Sequence, residues 1–394
     1  MMSFGDDREI DSNWDPDVNY FSSRETSSEY LTIDEYNTNF TPRIGLNLMT
    51  YNIRSFNSNS DDFFGMFNNV DNYPDVLGLC ETWFKDDTCQ NISGYTSYHV
   101  CREARRSGGV SVFVKSGIQS SFVNELSLTD ETIEVCTVKL SFASSPLFII
   151  TIYRPHRGSV ENFITSLNAI LNSSILKKKS CILFGDLNIN LMSGDTQVDS
   201  FVDSMQSLHY LPLVTKPTRF PSIPSHNPSL LDHIWVNDLC LQYECKIITH
   251  NHTDHCPVYL KIQSLKDHTN LKKVKTTFRH SSDVNKAKFE FEVLNFDWSS
   301  LSNHDVNIYF NNFNRKLNEI YCRCFPLKIK FVSAKTFEKP WITPRIKKLI
   351  SVKSKFFKLY LMNLATLQEN NSFKNRVKSI IDKSKKDYFD VYFQ

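Results

Sequence analysis

The sequence has no apolar run long enough to cross a membrane. Its longest clean stretches, such as Leu147-Phe-Ile-Ile150, fall far short of the roughly 20 residues that a spanning helix needs. The N-terminal Met-Met-Ser-Phe-Gly-Asp-Asp lacks the basic head and apolar core of a signal peptide. A membrane partner and secretion are therefore not expected. The expected location is nuclear, cytoplasmic or both, and the sequons at Asn91, Asn172 and Asn251 are chance matches. The ten cysteines include no CxxC pair, and Cys322-Arg-Cys324 has the wrong spacing for a zinc knuckle. Cys80, Cys136 and Cys181 lie inside apolar segments, so the cysteines read as reduced thiols. There is no GxSxG elbow, no Ser/His/Asp order and no Walker-type glycine-rich loop, which removes the serine hydrolases and the P-loop enzymes.

Net charge is also scarce, at +2 over 394 residues, but it is unevenly spread. Residues 1–43 carry 3 basic and 10 acidic side chains, residues 44–265 carry 16 and 21, and residues 266–394 carry 26 and 12. A basic C-terminal third beside an acidic body suggests a polyanionic partner. Length points to two or three domains, and hydrophobic residues, at 41%, suffice for a sizeable core. Residues 1–43 have few aliphatic side chains and read as an acidic, disordered leader.

Apolar runs then alternate with amphipathic stretches from residue 44 to 262. Leu46, Leu48 and Thr50 alternate with Asn47, Met49 and Tyr51 as in a strand that ends at Asn52. Val76-Leu-Gly-Leu-Cys80 meets Glu81 at once. Leu147 to Tyr153 ends in Tyr153-Arg-Pro-His156, and Val160 to Leu176 has helical spacing. Cys181 to Phe184 is a short apolar run, followed by Gly185, which is expected to break the strand, and then by Asp186 and Asn188. Residues two apart on an extended chain share a face, so this acid and amide leave the strand side by side. Ser229-Leu-Leu-Asp-His-Ile-Trp-Val236 is an apolar strand interrupted by Asp232, and Asp254-His255 precede a last strand, Val258 to Ile262. Polar clusters at strand ends are how α/β enzymes assemble sites.

Collected, these residues are Asn52, Glu81, Tyr153, Asp186, Asn188, Asp232, Asp254 and His255. The set is rich in hard oxygen donors, which suits Mg²⁺. His250, His252, His255 and Cys256 raise zinc as an alternative, which the pattern suits poorly.

The segments Tyr51-Asn52-Ile, Glu81-Thr-Trp83, Tyr153-Arg-Pro155, Gly185-Asp186-Leu-Asn188, Ser229-Leu-Leu-Asp232-His-Ile and Asp254-His255-Cys-Pro257 resemble, in order, those of the exonuclease–endonuclease–phosphatase superfamily. More narrowly, they are similar to the AP-endonuclease-like domain of non-LTR (LINE-type) retrotransposon proteins. The resemblance implies an α/β protein, a four-layered sandwich of two packed mixed β-sheets flanked by helices, here followed by a basic α-helical extension. It implies Mg²⁺-dependent hydrolysis of a phosphodiester, with Mn²⁺ as a substitute, and nicking of DNA. Glu81 would bind the metal, with Asn52 beside it and Asp254 near a metal or the leaving group. Asp186 would activate the attacking water and Asn188 would hold that water or a phosphate oxygen. Asp232 would fix His255, and His255 and Tyr153 would stabilise the transition state. Thr218, Ser229 and Arg154 would contact substrate. Two departures stand out: Arg54 lies where repair AP endonucleases carry an acid or amide, and Thr253 replaces a serine. The alternatives are a phosphatase or phosphodiesterase of the same fold acting on inositol or lipid phosphates, and a non-catalytic nucleic-acid-binding relic.

Residues 263–290 are Lys-rich and read as a linker, and 291–394 as a basic helical region. Residues 305–322 have amphipathic spacing. Thr343 and Pro344 form a good helix start. Ile346, Leu349, Ile350, Phe357 and Tyr360 then share one face, and Phe373, Val377, Ile380, Ile381 and Tyr388 repeat the spacing in a second helix. Arg345, Lys347, Lys348, Lys355 and Lys358 lie mostly on the other side, either as a solvated face or as a phosphate-tracking surface for DNA or RNA. Lys339-Pro-Trp-Ile-Thr343 resembles the segment that joins endonuclease to reverse transcriptase in such elements. No polymerase motif follows, so the sequence reads as a truncated copy whose last helices are loosely ordered for want of a packing partner.

Overall fold

Strands form here where apolar runs are short and bounded by turn residues, and helices where apolar residues recur every three or four positions. The computed structural model describes residues 28–39, 45–263, 273–279, 282–333 and 339–392, apart from 72, 86–88, 103–106, 143–144, 224, 239, 251 and 303–304. In chain order the elements are β1 (Glu29–Leu31), α1 (Ile33–Asn39), β2 (Leu46–Asn52), α2 (Phe56–Phe67), β3 (Val76–Cys80), β4 (Tyr95–Val100), β5 (Val110–Lys115), β6 (Ser120–Phe122), β7 (Leu128–Thr129), β8 (Glu134–Leu140), β9 (Leu147–Tyr153), α3 (Val160–Leu171), β10 (Ser180–Asp186), α4 (Thr196–Ser207), β11 (Leu211–Pro212), β12 (Asp232–Val236), β13 (Tyr243–Ile248), β14 (Val258–Ile262), β15 (Lys273–Arg279), α5 (Asp283–Leu294), α6 (Val306–Cys324), β16 (Leu327–Ser333), α7 (Pro344–Leu361) and α8 (Leu367–Tyr392). Among the described residues no helix is long and apolar enough to cross a membrane.

The chain forms two compact units, one made of residues 1–270 and 337–394 and the other of residues 271–336. In the first, two mixed sheets face each other, with strand orders β1-β13-β14-β2-β3-β5-β4 and β11-β12-β10-β9-β8-β6, and β7 pairs with β8. Leu48, Val76 and Val112 meet Ile149, Ile182, Phe184 and Ile234 in the core between the sheets. Helices α3 and α4 cover the second sheet through Phe163, Leu167, Phe201 and Met205. Helix α2 covers the first through Phe56, Phe63 and Phe67, joined by Ile346, Ile350, Val377 and Ile381 of the C-terminal helices. The result is an α/β sandwich of two mixed sheets between helices. The smaller unit pairs β15 with β16 and packs Ile320, Cys324 and Phe325 of its second helix and the following turn against Phe289, Val293, Phe296 and Trp298.

Four expectations change. Gly185 does not break its strand: β10 runs on to Asp186, and the glycine, at φ 142°, is needed because a Cβ there would lie 1.9 Å from the Ile152 carbonyl oxygen of β9. Part of the leader is ordered. Glu29–Leu31 adds a parallel edge strand to the first sheet, and Leu31, Ile33 and Tyr36 are buried. Their order comes from the neighbours they meet rather than from local composition; the rest of the leader lies outside the described residues. The linker region contains β15 and the start of α5, its period-two alternation obscured by lysine. The last helices are not loose, because α2 supplies the apolar partner that they need.

Candidate active site

Strand register brings the polar strand ends together. In the first sheet β2 and β3 run parallel with Asn52 beside Cys80, so Asn52 and Glu81 leave the same edge. In the second, Asp186 is level with Tyr153 on one side and with Asp232 on the other. Asp232 begins β12 rather than interrupting it, because the register places it at the strand end. His255 arrives from the loop before β14 and bridges to Arg219, which also bridges to Ser229.

Asn52 links the two sheets. Its Nδ2 donates to Glu81 Oε1 at 2.9 Å and to Asp186 Oδ2 at 2.7 Å. Asp186 Oδ1 accepts the Asn188 N–H at 3.0 Å, and Asn188 Nδ2 donates to the Arg154 carbonyl at 2.8 Å. The Tyr153 phenol feels the nearby Glu81 carboxylate, and the Trp83 indole donates to Glu81 Oε2 at 3.2 Å. On the other flank Asp232 Oδ2 accepts His255 Nδ1 at 2.8 Å and the Thr218 hydroxyl at 2.7 Å. His255 Nε2 faces Asp186 Oδ2 at 3.9 Å, too long for a hydrogen bond. The backbone is strained here: Arg54, Ser55, Glu81, Trp83 and Asn188 all have φ between 46° and 80°. Left-handed conformations of non-glycine residues cost on the order of 1 kcal/mol each and gather at functional sites.

The electrostatics separate an acid from a base. Burial pushes the Asp186 carboxyl up, with Asp232 and Glu81 adding to the effect against the pull of His255. Burial works against the His255 cation, yet Asp232, Asp186 and Asp254 outweigh it and raise the imidazole to about 9. Burial also raises the Tyr153 phenol far above its ordinary value, so it remains a donor. Among the described residues, Asp186, Asp232 and His255 alone bring potential ligand atoms within 4.8 Å of one another. Within that trio the one hydrogen bond joins Asp232 to His255. Asp232 Oδ1 is buried without a hydrogen-bond partner, and the buried Asp186 carboxylate lies beside it, so the site fits a hard divalent cation. The zinc alternative has no such support, since His250 and His252 both turn to Asp62, at 3.0 and 2.8 Å.

Four expected residues take other places. Asp254 holds Arg54 at 2.6 Å and Arg219 at 2.8 Å, which lowers its carboxyl to about 2 despite burial. Arg54, the departure in the motif, therefore neutralises an acid of the site. Thr218 is fully buried, and its hydroxyl supports Asp232 and accepts the Leu231 and Asp232 N–H groups at 3.2 and 3.0 Å. Ser229 acts through its carbonyl, which accepts from Thr218 and Arg219 N–H at 3.0 and 2.9 Å. Arg154 is buried and gives one bond to the Gly158 carbonyl at 3.1 Å, while its Nε and Nη1 have no partner. Sequence reasoning missed Glu134. It is buried opposite Tyr153, accepts the Gly109 N–H at 2.5 Å and pairs with Arg102 at 2.9 Å, and burial raises it to about 7. An acid at the edge of an apolar strand was the available signal, as for Glu81.

The sheets, the helices outside them and the strand-end carboxylates define a class of α/β phosphoesterase-like sandwiches. The profile of the Endonuclease/Exonuclease/phosphatase family matches residues 49–255, and the chain belongs to that family. Similar solved structures include the endonuclease domain of TRAS1, a telomere-specific non-LTR retrotransposon, at 12% identity, covering 57% of this chain and all of that one, with a TM-score of 0.45. The 3'-5' exonuclease NExo from Neisseria meningitidis is 15% identical over 55% of this chain and 99% of its own, with a TM-score of 0.45. The Xenopus laevis APE2 catalytic domain is 16% identical over 57% and 94%, with a TM-score of 0.44. No curated protein sequence matches the chain.

Proposed function

We propose that the protein is a Mg²⁺-dependent phosphodiester hydrolase of retrotransposon type that nicks DNA. One observation carries the reading: Asn52 ties the carboxylates of Glu81 and Asp186 together across the two sheets, beside the Asp232–His255 pair. Glu81 and Asn52 would hold the cation, which when bound supplies Lewis-acid stabilisation of the phosphate. Asp186, with its raised proton affinity, accepts a proton from the attacking water. Asn188 has its Nδ2 fixed on the Arg154 carbonyl and keeps its backbone N–H on Asp186, so it orients the base. His255, cationic and oriented by Asp232, donates from Nε2 to the phosphate oxygens, and Tyr153 donates beside Glu81. Charge built in advance where the transition state becomes most negative is what such a reaction requires.

DNA is the proposed substrate, and the protein would act in the nucleus or cytoplasm. The exposed Arg345, Lys348, Arg376, Lys378, Lys383 and Lys386 of the last helices offer phosphate contacts for DNA or RNA. The test is conversion of supercoiled plasmid to open circle in Mg²⁺, run beside phosphate release from inositol phosphates. Nicking without phosphate release supports the proposal; the reverse result assigns the chain to the phosphatases of its family. Salt-sensitive DNA binding without cleavage in Mg²⁺ or Mn²⁺ marks a non-catalytic relic.

A further inference from the structure

We propose that the C-terminal helix pair is part of the catalytic apparatus: Lys353 of α7 and Lys374 of α8 are positioning residues that hold the loop carrying His255. The step from holding the loop to catalysis rests on the phosphodiesterase reading above.

The segment 249–257 joins β13 to β14, and its described residues belong to no helix or strand; its backbone bonds to other segments are scattered, among them Thr249 N–H to the Leu31 carbonyl at 2.8 Å and Cys256 N–H to the Thr218 carbonyl at 2.8 Å. A segment with so few backbone bonds depends on side chains for the rest of its hold. On the inner side Thr253 holds it, with its hydroxyl accepting the His255 N–H at 3.1 Å and lying 3.3 Å from both Tyr51 Oη and the Asn52 carbonyl. On the outer side the C-terminal helices do so. Lys353 Nζ donates to both oxygens of Asp62 in α2, at 2.9 and 2.8 Å, with both side chains buried. The same carboxylate faces His250 Nε2 at 3.0 Å and His252 Nδ1 at 2.8 Å. The other nitrogen of His252 faces Asn59 Oδ1 at 2.8 Å, and the Asn59 amide is fixed by donating to the Ile53 and Arg54 carbonyls at 2.8 and 2.6 Å. Lys374 Nζ reaches the Thr253 carbonyl at 3.4 Å, and Thr249 Oγ1 meets Ser354 Oγ at 3.0 Å. The loop is thus gripped near Thr249, at His250, at His252 and at Thr253, each time directly or through Asp62 from residues of α7 and α8.

The docking is built into the core. Gly65 lies inside α2, where glycine is unfavourable. A Cβ at that position would come within 2.4 Å of Ile350 Cδ1, so the glycine makes room for α7. Lys339 and Lys385 pair with Asp61, Lys355 with Asp34 and Lys358 with Glu35. Basic tail and acidic leader therefore meet each other within one unit. The central tie is the consequential one, because removing Lys353 strands a buried carboxylate beside two imidazoles.

The test uses the full 394-residue chain. Lys353→Met keeps the reach and removes the charge, and Lys353→Arg keeps the charge. Two quantities are read, amide hydrogen exchange over 249–256 and the kcat and KM of plasmid nicking, with circular dichroism as the folding control. In Lys353→Met we expect exchange there to rise about tenfold while β9 and β10 stay protected. We expect kcat to fall about tenfold or more with KM within about twofold, since small misplacements of a catalytic group cost that much. Lys353→Arg restores part of both. A folded Lys353→Met with native exchange, or with loosened exchange and native kcat, overturns the proposal. Should that variant not fold, Lys374→Met takes its place with the same readouts, and native values there overturn it. If the native chain does not cleave DNA, the functional reading fails on its own, and the exchange measurement still decides whether the helices hold the loop.

Discussion

Replacing Asp232 by Asn preserves size and removes one charge, which makes it a clean probe of His255. Asp232 Oδ2 accepts His255 Nδ1 at 2.8 Å, and it is the largest of the influences that keep the buried imidazole protonated up to about 9. Burial, which favours the neutral ring, then meets less opposition, and the value drops to the ordinary 6.5 of histidine or below. At pH 8 the protonated fraction falls from about 0.9 to about 0.03, so the nicking rate falls about 30-fold from protonation alone. At pH 6 the fractions are about 1.0 and about 0.75, so the gap nearly closes. Asp186 loses an acid-raising neighbour in the same variant, which moves the low-pH rate further in the same direction. The measurement is the initial nicking rate of supercoiled plasmid in Mg²⁺ from pH 6 to 9, given as the ratio of variant to native. A ratio that climbs steeply toward acid is expected. A flat ratio, or no loss at pH 8, refutes the role given to the Asp232–His255 pair.

Asn52→Ala removes the donor between Glu81 and Asp186, and a loss of about 10²–10³ in kcat with a raised Mg²⁺ requirement is expected from metal titrations of the rate. Thr218→Val leaves the Leu231 and Asp232 N–H groups without their acceptor, so thermal denaturation should show a loss of about 1–3 kcal/mol. Asp254 is an acid held below its unfolded value, so its stabilisation is complete above about pH 4 and disappears as pH falls through about 2. That window holds on the order of 2 kcal/mol, and acid titration of stability in Arg219→Ala should show part of it missing.

The strand-end residues were legible because period and position coincide: Asn52, Glu81, Tyr153, Asp186 and Asp232 each close or open an apolar run. Register then does what spacing could not, setting Asp186 between Tyr153 and Asp232. Thr218 resembled a substrate contact because a polar residue in a loop motif gives no sign of burial, and only the fold shows its hydroxyl behind Asp232. Glu134 was missed because a single acid in Glu-Val-Cys-Thr-Val-Lys-Leu reads as a strand edge. The basic helices read as solvated or phosphate-binding because charge pattern does not reveal a partner 291 residues away in sequence. Lys353 and Asp62 are such a pair, and α2 offered both the acid and the apolar face.

The central claim is that separate strand ends form one hydrolytic site around Asp186. The most direct measurement is plasmid nicking in Mg²⁺ by the native chain beside Asp186→Ala and His255→Ala, each confirmed as folded. Strand cleavage by the native chain, stopped by chelation and lost by at least about 10² in both variants, is the predicted result. Undiminished cleavage by a folded Asp186→Ala variant, or none by the native chain with any divalent cation, contradicts it.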